Sequence, residues 1–117
     1  KRIALQALVN MGKVDEHSDE IAKLLEDEEP AVRKEAALTL GKAKPSSSRN
    51  AASIARTLAD ALMDEDKGVR AEAARAIGSF GKDGIAMAER VEKIMSKEKD
   101  DEAGMAAVEC LAALGEA

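Results

Sequence analysis

Three glycines, Gly41, Gly78 and Gly115, stand at equal intervals of 37 residues. Each closes a similar phrase, and the phrases read VRKEAALTLG at 32–41, VRAEAARAIG at 69–78 and AAVECLAALG at 106–115. A fixed period of this length is typical of tandem repeats, in which one unit is too small to bury its own apolar face and becomes stable only against its neighbours. The spacing therefore predicts an elongated array of repeated units with a large surface.

The composition favours helices as the repeated element. Of the 117 residues 45% are hydrophobic, yet Phe80 is the single aromatic residue. The apolar content consists of alanine, leucine, isoleucine, valine and methionine, among which good helix formers outnumber strand formers. We therefore expect an all-α protein.

Each unit is predicted to contain two amphipathic segments separated by an acidic turn. The first segment, the A helix, is expected where apolar residues recur at i, i+3 and i+4, over 18–26, 50–63 and 84–97. The second segment, the B helix, is expected over about 1–11, 30–43, 67–80 and 101–114. The predicted fold is thus an α-solenoid of about three and a half helical hairpins.

The whole chain, 1–117, is predicted to form one repeat domain. Its units are expected at 1–12, 17–43, 50–81 and 84–115. Because Lys1 falls inside a B helix, we expect the chain to be a piece of a longer solenoid.

Several residues are suited to the helix starts. Pro30 stands at the first position of a B helix, where its missing N–H is not needed. Asp66 and Asp100 are placed to cap the next two B helices, and Ser18 and Ser48 to cap A helices.

Gly41 and Gly78 come near the ends of B helices, and two explanations for them stay open. Glycine adopts a positive φ at low cost where a helix ends. Close packing of two helices would equally require a residue without a side chain.

The B-helix phrases and the acidic turns before them resemble the HEAT repeat, in the sub-type called HEAT-like or phycobilisome-lyase-type. The family pattern is an apolar A helix, a turn containing Asp, and then Val-Arg-x-x-Ala-Ala-x-x-Leu-Gly. It is matched by LLEDEEPAVRKEAALTLG at 24–41 and ALMDEDKGVRAEAARAIG at 61–78, whereas Ala106 and Ala107 replace Val and Arg in the last unit. The resemblance implies an armadillo-like α-solenoid built from HEAT-like hairpins.

In such repeats the turn Asp and the B-helix Arg commonly form a ladder of charge-assisted hydrogen bonds between adjacent units. The resemblance implies that Asp27 or Asp64 accepts, and that Arg33 or Arg70 donates. Because Ala107 replaces the arginine in the last unit, the ladder is expected to end there.

Residues equipped for catalysis or metal binding are sparse. His17 is the single histidine and stands at a predicted helix start, whereas metal centres usually need two or more soft ligands. Cys110 aligns with Ala36 and Ala73 on the predicted buried face, where an apolar setting makes a thiol inert. The glycines of GSFGKDG at 78–84 lack the spacing of a phosphate-binding loop. We therefore predict that the chain is not an enzyme and has no catalytic residue, no cofactor and no metal.

The predicted function is that of a scaffold or assembly subunit that binds another protein. The candidate contact residues lie off the buried face of the B helices and are Lys34, Leu38, Lys42, Arg75, Ser79 and Val108. Leu38 and Val108 have a second interpretation, which is contact with a neighbouring helix. The acidic turns favour the dipoles of the B helices and also offer a ridge to a basic segment of the partner, at 26–29, 64–66 and 99–102.

Two other functions stay open. The repeat sub-type also resembles accessory lyases that handle a bilin chromophore, and several helical-repeat families bind nucleic acid. A net charge of -5 and a pI near 5.0 repel a polyanion, and aromatic side chains for stacking on bases are missing. A nucleic-acid partner is therefore disfavoured.

The single cysteine cannot form an internal disulfide, which favours a reducing compartment. No apolar run approaches the roughly 20 residues that span a bilayer. We therefore expect an intracellular protein, located in the cytoplasm, with no membrane partner.

Overall fold

The structure, a computed structural model, describes residues 17–42 and 48–115, and every regular element in these two ranges is helical. The predicted all-α class is confirmed. In chain order the described elements are α1 (Ser18–Lys23), a 3₁₀ turn (Leu24–Glu26), α2 (Pro30–Gly41), α3 (Ser48–Ala61), α4 (Lys67–Gly78), a 3₁₀ segment (Gly81–Met87), α5 (Ala88–Met95) and α6 (Asp101–Gly115). The B helix expected at 1–11 lies outside the described residues.

Three helical hairpins stack side by side in the described part of the chain. α1 packs against α2, α3 against α4 and α5 against α6. Among the three second helices, α4 lies between α2 and α6 and packs against both. This arrangement is the predicted α-solenoid.

The core is formed by one apolar face of each second helix. The positions of this face recur every four residues and bury Val32, Ala36 and Leu40, then Val69, Ala73 and Ile77, then Ala106, Cys110 and Leu114. Leu58 of α3 and Val91 of α5 are buried in the same cluster. Small residues at the middle position allow the helix axes to approach closely, while the larger aliphatic side chains fill the remaining space.

The second helices begin at the expected residues. Pro30 is the first residue of α2. Asp66 Oδ2 accepts a hydrogen bond from the Val69 N–H at 3.1 Å, and Asp100 Oδ2 accepts one from the Ala103 N–H at 3.0 Å. Both predicted aspartate caps are confirmed, and each supplies an acceptor for a backbone donor that the helix leaves unpaired.

The serine caps predicted for the first helices are not confirmed. α1 begins at Ser18 itself, and His17 stands before it without a side-chain capping bond. The prediction of Ser18 as cap is therefore wrong by one residue. α3 begins at Ser48, whose side chain lies outside the described part of the structure.

The first helix of the third hairpin is shorter than the expected 84–97. A 3₁₀ segment occupies 81–87, and α5 starts only at Ala88. Gly81 has a φ of 54°, which glycine adopts readily. A Cβ added at Gly84 would stand 2.7 Å from the Ile77 carbonyl oxygen and 2.9 Å from Leu114 Cδ2. The two glycines thus let this connection pass tightly between α4 and α6.

Gly41 and Gly78 are explained by close packing. Among the described residues a positive φ occurs at Gly81 and at neither of these two. A Cβ at Gly41 would stand 2.9 Å from Ala76 Cβ, and one at Gly78 would stand 3.1 Å from Cys110 Cα. We call these two contacts, Gly41 with Ala76 and Gly78 with Cys110, the glycine seam, because they join α2 to α4 and α4 to α6.

Candidate protein-binding surface

Arg33 in α2 connects the turn of its own hairpin to the turn of the next hairpin. Its Nε donates to Asp64 Oδ2 at 2.8 Å, and its Nη2 donates to Asp64 Oδ1 at 3.2 Å. Its Nη1 donates to the carbonyl oxygens of Asp27 at 2.7 Å and Glu28 at 3.2 Å. The side chains of Arg33 and Asp64 are only 9% and 11% exposed. Solvent and salt therefore weaken this bidentate pair little.

Arg70 in α4 makes the same set of contacts one hairpin further along. Its Nε donates to Glu98 Oε2 at 2.7 Å, and its Nη2 donates to Glu98 Oε1 at 3.1 Å. Its Nη1 donates to the carbonyl oxygens of Asp64 at 2.9 Å and Glu65 at 3.1 Å. The two arginines thus link three successive turns.

Glu98 is not among the residues expected from the sequence, because the units were aligned on their closing glycines. α2 and α4 have 12 residues each, whereas α6 has 15, so α6 begins earlier relative to its glycine. Glu98 precedes the cap residue Asp100 by two residues, as Asp64 precedes Asp66. Aligning the units on their caps instead of on their glycines would have identified Glu98.

The same alignment shows where the ladder ends. The backbone N–H groups of Arg33, Arg70 and Gly104 each donate to the carbonyl oxygen of the residue that caps their helix. Gly104, and not Ala107, therefore occupies the arginine position of α6. Because α6 contains no arginine or lysine, it donates no guanidinium to a further turn.

Each acidic residue of the ladder also shapes its own turn. Asp27, Asp64 and Glu98 accept hydrogen bonds from the backbone N–H two residues later, at 3.0, 2.8 and 3.0 Å. Protonating Glu98 would therefore weaken its turn and its contact with Arg70 together.

The pKa values respond to these contacts. The hydrogen bonds from Arg70 hold the pKa of the Glu98 carboxyl below its ordinary value of 4.5, although burial acts in the opposite direction. The pKa of Arg33 is raised by its hydrogen bond to Asp64, and that of Arg70 by its hydrogen bond to Glu98. The pKa of Asp100 is lowered, chiefly by the hydrogen bond from the Ala103 N–H.

Replacing Glu98 with glutamine is expected to remove part of the acid sensitivity of the fold. Because the folded pKa of Glu98 lies below the unfolded one, its ion pair stabilises the fold fully above about pH 5.5, and this stability is lost as the pH falls through the folded value. Urea denaturation of the wild type and of Glu98→Gln should therefore show a difference in unfolding free energy that shrinks between about pH 6 and pH 3. A difference that stays constant over this range would contradict the pair.

A groove lies between the C-terminal halves of α2 and α4. It encloses about 170 Å³ and is lined by Leu38, Gly41, Lys42, Glu72, Arg75, Ala76 and Ser79. The Ser79 Oγ lies 2.8 Å from the Gly41 carbonyl oxygen and 2.6 Å from that of Ala76, so it can donate to either. The Arg75 guanidinium donates from Nη1 to Glu72 Oε1 at 2.8 Å. The groove thus has an apolar floor and a rim of charged side chains.

The groove brings together four of the six candidate contact residues, which are Leu38, Lys42, Arg75 and Ser79. The other two lie elsewhere. Lys34 is exposed and reaches toward Gly68 at the start of α4. Val108 is on α6 and is 51% exposed.

The acidic turns contain two kinds of carboxylate. Asp64, Asp66 and Glu98 are engaged in caps, turns and the ladder. Other members point into solvent, and they are Glu26, Glu28, Glu29 and Glu65. Some of the acidic residues in the turns are therefore required by the fold. The exposed ones form a charged edge at the start of the second helices.

The single histidine and the single cysteine, His17 and Cys110, lie in surroundings that are common in folded proteins. His17 Nδ1 lies 3.6 Å from Glu20 Oε1 on the surface of the first turn of α1. Cys110 is 1% exposed, and burial raises the pKa of its thiol to about 11. Residues 17–42 and 48–115 contain no cluster of three or more histidine, cysteine or acidic side chains that could hold a metal ion. No helix within these ranges has the length and apolar character required to cross a bilayer.

Comparison with known protein families identifies one whose description is non-SMC mitotic condensation complex subunit 1. It matches residues 3–113 of the chain, which include the three described hairpins except for the last two residues of α6. A comparison with curated proteins found no match.

Proposed function

The chain belongs to the family of non-SMC mitotic condensation complex subunit 1, and we propose on this basis that it is a non-catalytic subunit that holds a partner protein within a larger assembly. The family description names a subunit of a complex, which supports a protein partner and an intracellular location. We propose further that its units are HEAT-like repeats, since the arginine ladder and the Val-Arg-x-x-Ala-Ala phrase occur in both central hairpins.

The main support for this proposal is the groove between α2 and α4. Leu38 is 37% exposed although it is a large apolar side chain, and it stands beside the wall formed by Ala76. Lys42 and Arg75 lie on the rim. An apolar side chain of the partner would fill the groove, while an acidic neighbour would meet the rim. Such a centre of apolar contact surrounded by charge is typical of protein interfaces.

The exposed edge of the acidic turns is a second contact for the same partner. It lies at the start of the second helices, whereas Lys42 and Ser79 follow the ends of α2 and α4. A basic segment of the partner would meet Glu28, Glu29 and Glu65 there. Rim charges of this kind contribute to association rate and specificity more than to affinity.

Neither alternative function gains support from a specific contact. The net charge of -5 disfavours a nucleic acid, and the family description does not name a chromophore lyase. Nucleic-acid binding would weaken steeply with salt, and lyase activity would shift the absorbance of an added bilin. These two assays separate the alternatives from the proposal.

Site-specific photo-crosslinking tests the proposed groove. A photoreactive amino acid placed at position 38 of the full-length protein in cells should yield a crosslinked protein that is not obtained from position 63. Met63 is a matched control because it is 63% exposed and lies outside the groove. The purified partner should then bind wild type and Met63→Asp equally, and Leu38→Asp at least about tenfold more weakly, since a charge replaces the apolar contact. Equal binding to Leu38→Asp and wild type would reject the groove as the contact surface.

A further inference from the structure

Three charged side chains line the groove between α2 and α4, and their contacts differ. Arg75 Nη1 donates to Glu72 Oε1 at 2.8 Å, and Arg75 Nη2 lies 3.6 Å from Glu102 Oε1 on α6. Lys42 is exposed, and its ammonium forms no ion pair in the part of the chain that the structure describes. The two cations on the rim of the groove are therefore not equivalent.

The carboxylates around Arg75 offset its charge. Glu72 also lines the groove, and its side chain is only 13% exposed, whereas that of Arg75 is 38% exposed. A carboxylate that approached Arg75 would meet the negative charge of Glu72 or would have to separate the existing pair. The Glu72–Arg75 pair thus adds no net charge to the groove, and its net positive charge comes from Lys42.

The helix ends make an anion depend on Lys42 still more. α2 ends at Gly41, Ser79 follows the end of α4, and both residues line the groove. The partial negative charge at the C-terminus of a helix disfavours an anion. A carboxylate is therefore expected only within reach of the Lys42 ammonium, which the long, flexible side chain can carry away from the helix end.

The apolar floor and the neighbouring sequence restrict the occupant further. Leu38 is 37% exposed and lines the groove together with Ala76, so an apolar side chain is needed to cover this part. The residues that follow Lys42 do not have the required chemistry, because 43–47 read AKPSS and contain neither a carboxylate nor a large apolar side chain. The occupant must combine both groups.

We propose that the groove binds a partner segment in which an aspartate or glutamate lies next to a large apolar side chain, and that Lys42, and not Arg75, pairs with this carboxylate. The apolar side chain packs on Leu38 and Ala76, while the Glu72–Arg75 pair stays intact. This inference rests on the groove of the proposed function and adds the residue that determines its charge preference.

Three small probes test the charge preference with the purified protein. Isocaproate, isocaproamide and isohexylamine share a branched apolar body and differ in the charge of the end group. NMR titrations follow the backbone amides of Leu38, Gly41 and Ala76. The wild type should bind isocaproate about threefold more tightly than isocaproamide, which is the gain expected from one exposed ion pair, and isohexylamine more weakly than the amide.

Lys42→Gln should abolish this preference and make isocaproamide the tighter of the first two probes, because the helix ends remain. The matched control is the double variant Glu72→Gln with Arg75→Gln, which leaves the net charge unchanged and should keep the preference for isocaproate. Absence of shifts at the groove, equal affinity of the wild type for isocaproate and isocaproamide, or a preference that survives Lys42→Gln would each overturn the inference. Loss of the preference in the double variant would do so as well.

The crosslink from position 38 separates this inference from the proposed function. A crosslinked partner together with a groove that shows no charge preference would reject the role of Lys42 and leave the groove as the contact surface. Absence of the crosslink would reject the proposed function itself, and the inference that rests on it.

Discussion

Replacing Arg33 with methionine is expected to lower the free energy of unfolding by about 3 kcal/mol. Methionine keeps much of the apolar stem but removes every donor of the guanidinium. Asp64, whose side chain is only 11% exposed, would then lose both hydrogen bonds from Arg33. The carbonyl oxygens of Asp27 and Glu28 would lose their donor as well. Asp64 would keep the hydrogen bond from the Asp66 N–H, but its buried charge would no longer face the guanidinium of Arg33, and this accounts for most of the expected loss.

Urea denaturation followed by circular dichroism measures this effect, and Arg90→Met is the matched control. Arg90 Nη2 lies 2.7 Å from Asp60 Oδ1, as close as the buried pairs, but the two side chains are 36% and 71% exposed. Exposed ion pairs contribute little, so this variant should lose at most about 0.5 kcal/mol. Equal losses in Arg33→Met and Arg90→Met would show that burial of the ladder has no energetic consequence.

Replacing Gly41 with leucine is expected to destabilise the fold by about 3 kcal/mol, through overpacking of the glycine seam. The Cβ alone would stand 2.9 Å from Ala76 Cβ and 3.0 Å from Ala76 Cα, so α2 and α4 would have to separate. Helix propensity acts in the other direction, because leucine is favoured over glycine in a helix by roughly 0.7 kcal/mol. The clash is the larger of the two effects, and the net change should be a clear loss.

Gly115→Leu provides the comparison at a glycine near the C-terminal end of α6. Because no atom of another helix in the described part of the chain lies within 4 Å of the Cβ position there, the free energy of unfolding should change by no more than about 0.5 kcal/mol. Thermal denaturation of both variants measures the contrast. A similar loss at both positions would indicate that glycine matters for its backbone conformation and not for packing.

The repeated unit could be predicted from the sequence because its signals are local. The aspartate caps and the four-residue spacing of apolar residues are visible within one hairpin, and the structure confirms the helices at these places. Two explanations for Gly41 and Gly78 could not be separated, because the atom that approaches each glycine belongs to the next hairpin.

The contacts between hairpins were harder to predict. The third turn has Glu98 where the preceding turn has Asp64. The two residues correspond when the units are aligned on the residues that cap the second helices, whereas counting back from Gly115 misses Glu98. The tight connection at 81–87 depends on how closely Gly84 approaches Ile77 and Leu114, which lie in two different helices. The grouping of Leu38 and Lys42 with Arg75 and Ser79 follows from the stacking of α2 on α4, which the periodicity of either helix alone does not specify.

A double-mutant cycle between Arg33 and Asp64 tests the central claim, that neighbouring hairpins are joined through buried contacts between their turns and second helices. The unfolding free energies of the wild type, Arg33→Met, Asp64→Asn and the double variant are measured under one set of conditions. We expect a coupling energy of about 2 kcal/mol, because each side chain contributes to stability chiefly through its bond to the other. Additive effects, within about 0.5 kcal/mol, would mean that the two side chains do not interact in solution and that the hairpins are not stacked as described.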